Sequence, residues 1–133
     1  MSTFHETLFA ALQAQLADVG APLFLGPIPA EGTAIGVSFY DVTPPEGTTD
    51  TVQGIQLHVR HEDRNDRRKT LRLADDVFLT LHGQNTTTWD GLPVHNVWRN
   101  SSADLGPDDS GRVVRSDNYY VRLSRTGPHL TDT

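Results

Sequence analysis

The chain has 133 residues and a net charge of -6, with 36% hydrophobic residues, 21% charged residues and no cysteine. This length predicts one domain over residues 1–125, followed by a C-terminal tail over 126–133. Without cysteine there is no disulfide framework, thiolate nucleophile or cysteine-based metal site. The hydrophobic share is small for a chain that builds a large core alone, which suggests that a partner contributes some burial.

The apolar stretches are too short for a membrane protein. No stretch reaches the roughly 20 apolar residues that a membrane span requires. The N-terminus has no basic segment ahead of an apolar one, so we expect no signal peptide. The sequence therefore predicts a protein with no membrane partner that stays where it is made.

Charge is distributed unevenly along the chain. No Lys or Arg precedes Arg60, so the first stretch is purely acidic. Basic residues that we take as candidate interface residues then follow closely: Arg64, Arg67, Arg68, Lys69 and Arg72. This asymmetry suits head-to-tail contacts between copies, although an ordinary solvated surface is the alternative interpretation. The overall acidity disfavours a general nucleic-acid binder.

The first half of the chain predicts a helix and two strands. Apolar residues at helical spacing predict a helix over about 3–19, capped by Ser2 or Thr3. The short apolar piece at 23–25 is a brief strand or an extended link. Strands are predicted over 34–40 and 52–60, separated by a loop at 41–51.

The second half predicts a helix and further strands. An amphipathic pattern predicts the second helix over 67–82, with Leu71 on its apolar side. A hairpin is expected over 86–98, then a turn-rich link at 103–111 and a last strand at 112–125. The order predicts an α+β fold: a mostly antiparallel (mixed) sheet of four to five strands packed with two helices. We expect the aromatic residues of these strands to pack in the core, with interface anchors as the alternative: Trp89, Trp98, Tyr119 and Tyr120.

The sequence offers little catalytic chemistry. His58, His61 and Glu62 form the one crowded set of metal-ligand types, but their spacing does not match a helical zinc-protease motif. A small metal-dependent hydrolase using the two histidines is therefore a remote alternative. No nucleophile elbow and no phosphate-binding glycine loop occurs, so we expect no enzyme, cofactor or metal site.

Several segments together resemble a family of phage proteins. They are the strand Val52–Arg60, the helix end Asp75–Gly83 and the C-terminal pieces Gly106–Arg112 and Arg115–Val121. With the order of elements, they resemble the tail terminators of long-tailed bacteriophages, which are also labelled minor capsid or tail completion proteins. The resemblance covers roughly residues 3–125.

The resemblance implies a structural virion protein at the tail–neck junction, made in the host cytoplasm. Such proteins form a ring, which for this chain would be a homohexamer, that caps the tail tube and ends its elongation. The implied partners are further copies, the tail tube protein and the neck or stopper protein. Genomic DNA would pass through the lumen without specific binding. A neck or head-completion protein is the alternative.

Two sets of residues acquire roles under this resemblance. The basic start of the second helix would meet an acidic patch of the neighbouring subunit. An acidic lumen would repel DNA and let it slide. The candidates for lining it are Glu31, Asp41, Glu46 and Asp50.

Overall fold

The computed structural model describes residues 3–42 and 49–126. It contains two helices and six strands, in the order α1 (Phe4–Gln15), β1 (Leu23–Leu25), β2 (Ala34–Asp41), β3 (Asp50–Arg60), α2 (Arg67–Leu81), β4 (Asn85–Trp89), β5 (Leu92–Pro107) and β6 (Val113–Ser124). Most of the loop predicted at 41–51, and the predicted tail apart from Thr126, lie outside the described residues.

The strands form one sheet in the order β1-β2-β3-β6-β5-β4. All neighbouring strands are antiparallel except β1 and β2, which are parallel. The α+β class with two helices is confirmed, but the sheet has six strands rather than four to five. The extra strand is the apolar piece at 23–25, which becomes β1 because it pairs with residues 35–37 of β2. The sequence left this piece open as a brief strand or an extended link, and the pairing with β2 makes it a strand.

The link predicted at 103–111 is wrong over its first half, because β5 continues to Pro107. Pairing with β6 continues to the end of β5, from Val94 opposite Leu123 to Pro107 opposite Val113. A register shift between Asp104 and Gly106 accommodates the turn-forming residues of this stretch. Cross-strand hydrogen bonding therefore overrides the local turn preference.

Helix α1 begins as predicted and ends earlier than predicted. The Thr3 Oγ1 accepts a hydrogen bond from the Glu6 N–H at 3.1 Å, which caps the helix. The helix ends at Gln15 rather than near residue 19, although Leu16 still lies in the core with 1% exposure. The chain then turns at Gly20, whose φ of +84° suits glycine.

Both helices pack on one face of the sheet, and the core lies between the helices and this face. Buried residues alternate along the central strands, as Ile55, Leu57 and Val59 do on β3. On α2 the apolar side differs from the prediction, because Leu73 is buried whereas Leu71 is 40% exposed. We call the opposite side of the sheet the open face.

The aromatic residues divide between the two faces. Trp89 and Tyr119 lie in the core, as predicted, with 1% and 0% exposure. Trp98 and Tyr120 are half-buried, and their strand positions place them on the open face. The expectation of core packing is therefore wrong for this pair, because alternation along β5 and β6 turns them away from the helices.

Candidate functional site

The start of α2 is held tightly against the sheet. Asp66 caps the helix, since its Oδ1 accepts a hydrogen bond from the Arg68 N–H at 3.2 Å. The same oxygen lies 3.4 Å from Arg68 Nε. Thr70 is buried in the first turn and donates from Oγ1 to the carbonyl of Val113 at 3.0 Å. These contacts fix the first turn against β6 and leave its charged side chains on the outside.

Two further cations of this turn are paired within the chain. Arg67 Nε lies 2.6 Å from Asp104 Oδ2, and Lys69 forms an ion pair with Asp63. The hydrogen bond from Arg67 lowers the pKa of Asp104, and the hydrogen bond from Lys69 lowers the pKa of Asp63. Cations in a first turn oppose the helix dipole, and these carboxylates offset that conflict.

Arg64 and Arg72 complete the candidate interface set and differ from the other three. Both side chains are exposed. Within residues 3–42 and 49–126, neither has an ion-pair partner. They are the members of this set whose charge the described part of the chain leaves uncompensated.

The candidate acidic residues lie at two ends of the sheet. Asp41 ends β2 and Asp50 begins β3, at the hairpin end of this strand pair. Glu31 precedes β2 and lies near the other end, where Ala34 pairs with Arg60. The structure therefore does not bring all of them together, and Glu46 lies outside the described residues.

Two of these acids are neutralised locally. The Arg122 guanidinium makes a forked contact with Asp50, at 3.1 Å from Nε to Oδ1 and 2.7 Å from Nη2 to Oδ2. The hydrogen bond from Arg122 lowers the pKa of Asp50. Glu31 Oε2 lies 2.6 Å from Arg112 Nη2. Asp41 is exposed and has no ion-pair partner among the described residues.

Two buried arginines organise the sheet end near Glu31, a feature that the sequence did not indicate. Arg112, with its side chain 5% exposed, donates from Nη1 to the carbonyl of Ala30 at 3.1 Å and from Nε to the carbonyl of Glu62 at 3.2 Å. Arg60 donates from Nε and Nη2 to the carbonyl of Gly32, at 3.1 and 2.7 Å. Each guanidinium therefore ties a loop to the sheet.

A buried polar group lies beneath α2. Asp117 is fully buried on β6, and its Oδ1 accepts from Arg115 Nε at 2.9 Å. Its Oδ2 and the nearby Tyr119 hydroxyl have no hydrogen-bond partner among the described residues. Burial raises the pKa of Asp117 against the opposing effect of Arg115. A carboxylate in phase with Tyr119, Val121 and Leu123 of the same strand was the available signal.

A shallow cleft of about 300 Å³ opens between α2 and the sheet in this region. Arg99 and Arg115 line it from the sheet, and Leu71 and Asp75 line it from the helix. Arg99 also lies over the Phe78 ring, with its guanidinium carbon 4.3 Å from the ring centre. The cleft is open, and its two arginines already have neighbours within the fold, so it does not resemble an enclosed substrate pocket.

The two candidate metal-binding histidines lie at the end of β3. His58 is half-buried on the open face, and His61 Nδ1 accepts a hydrogen bond from the Asp63 N–H at 3.1 Å. In the part of the chain that the structure describes, no three His, Asp or Glu side chains are grouped closely enough to hold a metal ion. No described helix is long and apolar enough to cross a membrane.

Comparison with known proteins identifies the family. A model of the family described as bacteriophage tail terminator protein matches residues 12–125. The chain belongs to this family. It is therefore a structural protein of a phage tail. No curated protein matches the chain.

The fold has a counterpart in a solved particle. A chain of the structure titled "Virion of native gene transfer agent (GTA) particle" is 15% identical to this tail terminator family member, with a TM-score of 0.60. The match covers 91% of each chain. At this identity the likeness shows a shared fold.

Proposed function

We propose that this chain forms a homohexameric ring that caps the finished tail tube, ends its elongation and docks the tail to the neck. The observation that carries the proposal is the family match, which extends from the last turn of α1 to the end of β6. The ring acts by covering a surface and carries out no catalysis. Its partners are further copies, the tail tube protein and the neck protein, and the genome passes through its lumen.

Imaging lysates of a phage that lacks this chain tests the proposal. Overlong tails without heads are expected, because only loss of the length stop allows the tube to keep growing. Tails of normal length beside unattached or emptied heads would contradict the terminator role and assign the chain to the neck. Normal infectious particles would contradict both assignments.

The basic start of α2 is the proposed contact to a neighbouring subunit. Arg64 and Arg72 support it, because their charges are exposed and uncompensated by described residues. Reversing Arg67, Arg68 and Lys69 to Glu tests the wider set, since it replaces a basic surface by an acidic one. Weakened ring formation is expected, and unchanged ring formation would contradict the contact.

The proposed acidic lumen depends most on the hairpin end of β2 and β3. Asp41 is exposed there without an ion-pair partner among the described residues, whereas Glu31 and Asp50 are paired with arginines. We expect Asp41→Lys to slow genome ejection, because a cation in the lumen attracts phosphate. Gln13→Lys adds the same charge on the exposed side of α1 and is the control. Equal ejection rates for the two variants would contradict a lumenal Asp41.

A further inference from the structure

Four strands place an aromatic row across the open face. Tyr40 of β2 pairs with Gly54 of β3, Gly54 pairs with Tyr120 of β6, and Tyr120 pairs with Trp98 of β5. Residues in direct register point to the same side of a sheet. Tyr40, Tyr120 and Trp98, which we call the aromatic row, therefore form one line across the sheet.

Contacts within the sheet hold these rings in place. Gly54 makes room for Tyr40, since a Cβ at this glycine would come within 2.4 Å of the tyrosine ring. The Tyr40 hydroxyl donates to Asn118 Oδ1 at 3.1 Å. The rings of Trp98 and Tyr120 meet edge to face, with centres 5.6 Å apart and an angle of 81°. The row is thus ordered before any partner arrives, which lowers the entropic cost of binding.

The surface around the row is accessible and, among the described residues, carries no unpaired charge. Tyr40 is 38% exposed, and its neighbours on the open face include the exposed polar residues Ser38 and Asn96. Towards the hairpin end, the charges of Arg122 and Asp50 neutralise each other. Both helices pack on the other side of the sheet, so no described helix covers the row. Tyr and Trp side chains that remain accessible to solvent on a surface without net charge are typical of protein interfaces.

The charges on this face indicate which partner it fits. DNA binding requires cations for the phosphates, and Arg122, the cation that the described residues place beside the row, is already paired with a carboxylate. Two copies of a chain with a net charge of -6 repel each other, and contact through a neutral surface avoids most of that cost. A second copy of the chain therefore fits the open face better than the genome does.

A ring needs two different contact surfaces on each subunit. The outer side of α2 belongs to the other layer of the molecule and provides a suitable second surface. It carries Leu79, which is 70% exposed, and the exposed Arg72 seven residues earlier on the same side of the helix. Arg72 has no ion-pair partner among the described residues, and a guanidinium without a carboxylate binds well over an aromatic ring.

We propose that the aromatic row receives the outer side of α2 from the next copy. Leu79 packs against the rings, and Arg72 lies over a ring face. The contact is heterologous, so each subunit offers its row to one neighbour and its helix to the other. This inference rests on the proposed self-assembly and names the surfaces that carry it. It assigns Arg72 an aromatic partner in place of an acidic one.

Added charge on the open face tests the proposal without disturbing the core. Ser38→Glu and Asn96→Glu each place a carboxylate beside the row, and Gln13→Glu places one on the exposed side of α1 as the matched control. The oligomer mass of the full chain is measured by light scattering and native mass spectrometry over a concentration series. The first two variants are expected to weaken self-association about tenfold or more, which corresponds to about 1.4 kcal/mol, while the control matches the wild type. Weakening no greater than that of Gln13→Glu would overturn the proposal.

Disulfide trapping locates the contact independently, because the chain has no cysteine of its own. Copies carrying Asn96→Cys are mixed with copies carrying Leu79→Cys and oxidised, and the control mixture pairs Asn96→Cys with Gln13→Cys. Mixed disulfide dimers are expected well above the control. Oligomers that form without this excess would overturn the inference and leave the ring intact. A wild type that stays monomeric, both alone and on isolated tail tubes, would instead overturn the ring itself and this inference with it.

Discussion

The buried arginines at one end of the sheet and the cations of α2 carry the same charge but bind in different ways. Arg112 keeps 5% of its side chain exposed and reaches two backbone carbonyls and one carboxylate. Arg68, with 88% of its side chain exposed, meets a single carboxylate two residues away. Because Arg112 is buried, it connects loops to the sheet within the protein. Because solvent screens Arg68, its ion pair has little effect on stability.

This difference separates arginines that hold the fold from cations that are available to a partner. A buried guanidinium that loses its acceptors leaves unsatisfied donors in the protein, whereas an exposed one returns to water. A basic stretch of sequence can contain both kinds, as Arg60 and Arg64 show: the first is 3% exposed and the second is exposed. The contrast leads to predictions that differ in size.

The largest expected effect is that of Arg112→Ala. The change removes a buried side chain and its hydrogen bonds to the carbonyls of Ala30 and Glu62, and we expect a loss of about 2–4 kcal/mol in the free energy of unfolding. Urea denaturation followed by circular dichroism measures it. Arg68→Ala is the matched control and should change the free energy by less than about 0.5 kcal/mol. Similar losses in both variants would show that burial does not decide which arginines stabilise the fold.

Asp117→Asn extends the contrast to a carboxylate. Burial raises the pKa of Asp117, so the unfolded chain loses this proton at a lower pH than the folded chain does. The Asp117 contribution to stability therefore falls as the pH rises from about 3 to 7. The Asn variant lacks this titration and should gain stability over the wild type as the pH rises. Thermal unfolding across this range measures the difference, and a constant gap would contradict the assignment.

The exposed pair of Arg67 and Asp104 should show the opposite pH dependence and a smaller effect. Arg67 lowers the pKa of Asp104, so its contribution to stability is present at neutral pH and is lost as the pH falls through the acid range. Arg67→Ala should cause a small loss of thermal stability at pH 7 in low salt. That loss should vanish near about 1 M salt, where screening is strong. A loss of thermal stability that persists in high salt would show that this pair holds the fold as the buried arginines do.

Local sequence patterns predicted the elements whose causes are local. The Thr3 cap of α1, the alternation in β3 and the class of the fold are confirmed, because capping and amphipathic spacing act over a few residues. The length of β5 is set by its pairing with β6, and pairing with β2 decides that the apolar piece at 23–25 is a strand rather than an extended link, so local patterns left both open. Turn-forming residues such as Gly106 misled the prediction, because strand pairing absorbs them as bulges.

The sequence predicted which residues of the candidate site are charged, but not which of those charges have a partner in the fold. The sequence placed Arg64 and Arg67 in one basic group, but only the fold brings Asp104 against Arg67 and leaves Arg64 without an ion-pair partner in the described structure. The aromatic row could not be predicted from the sequence either, because it also depends on the fold. Tyr40 and Trp98 become neighbours of Tyr120 only through the register of four strands.

The smallest effect on stability is expected for Arg72→Glu. The side chain is exposed and has no ion-pair partner among the described residues, so the free energy of unfolding should change by less than about 0.5 kcal/mol. Self-association should nevertheless weaken, because a carboxylate is repelled by the negative face of an aromatic ring to which a guanidinium is attracted. Arg72→Lys keeps the charge and should retain part of the association, since cation–π attraction persists without the flat guanidinium. Light scattering and urea denaturation on the same preparations separate the two effects. Weaker association that tracks a loss of stability would place Arg72 among the arginines that hold the fold, and unchanged association with unchanged stability would remove it from the interface.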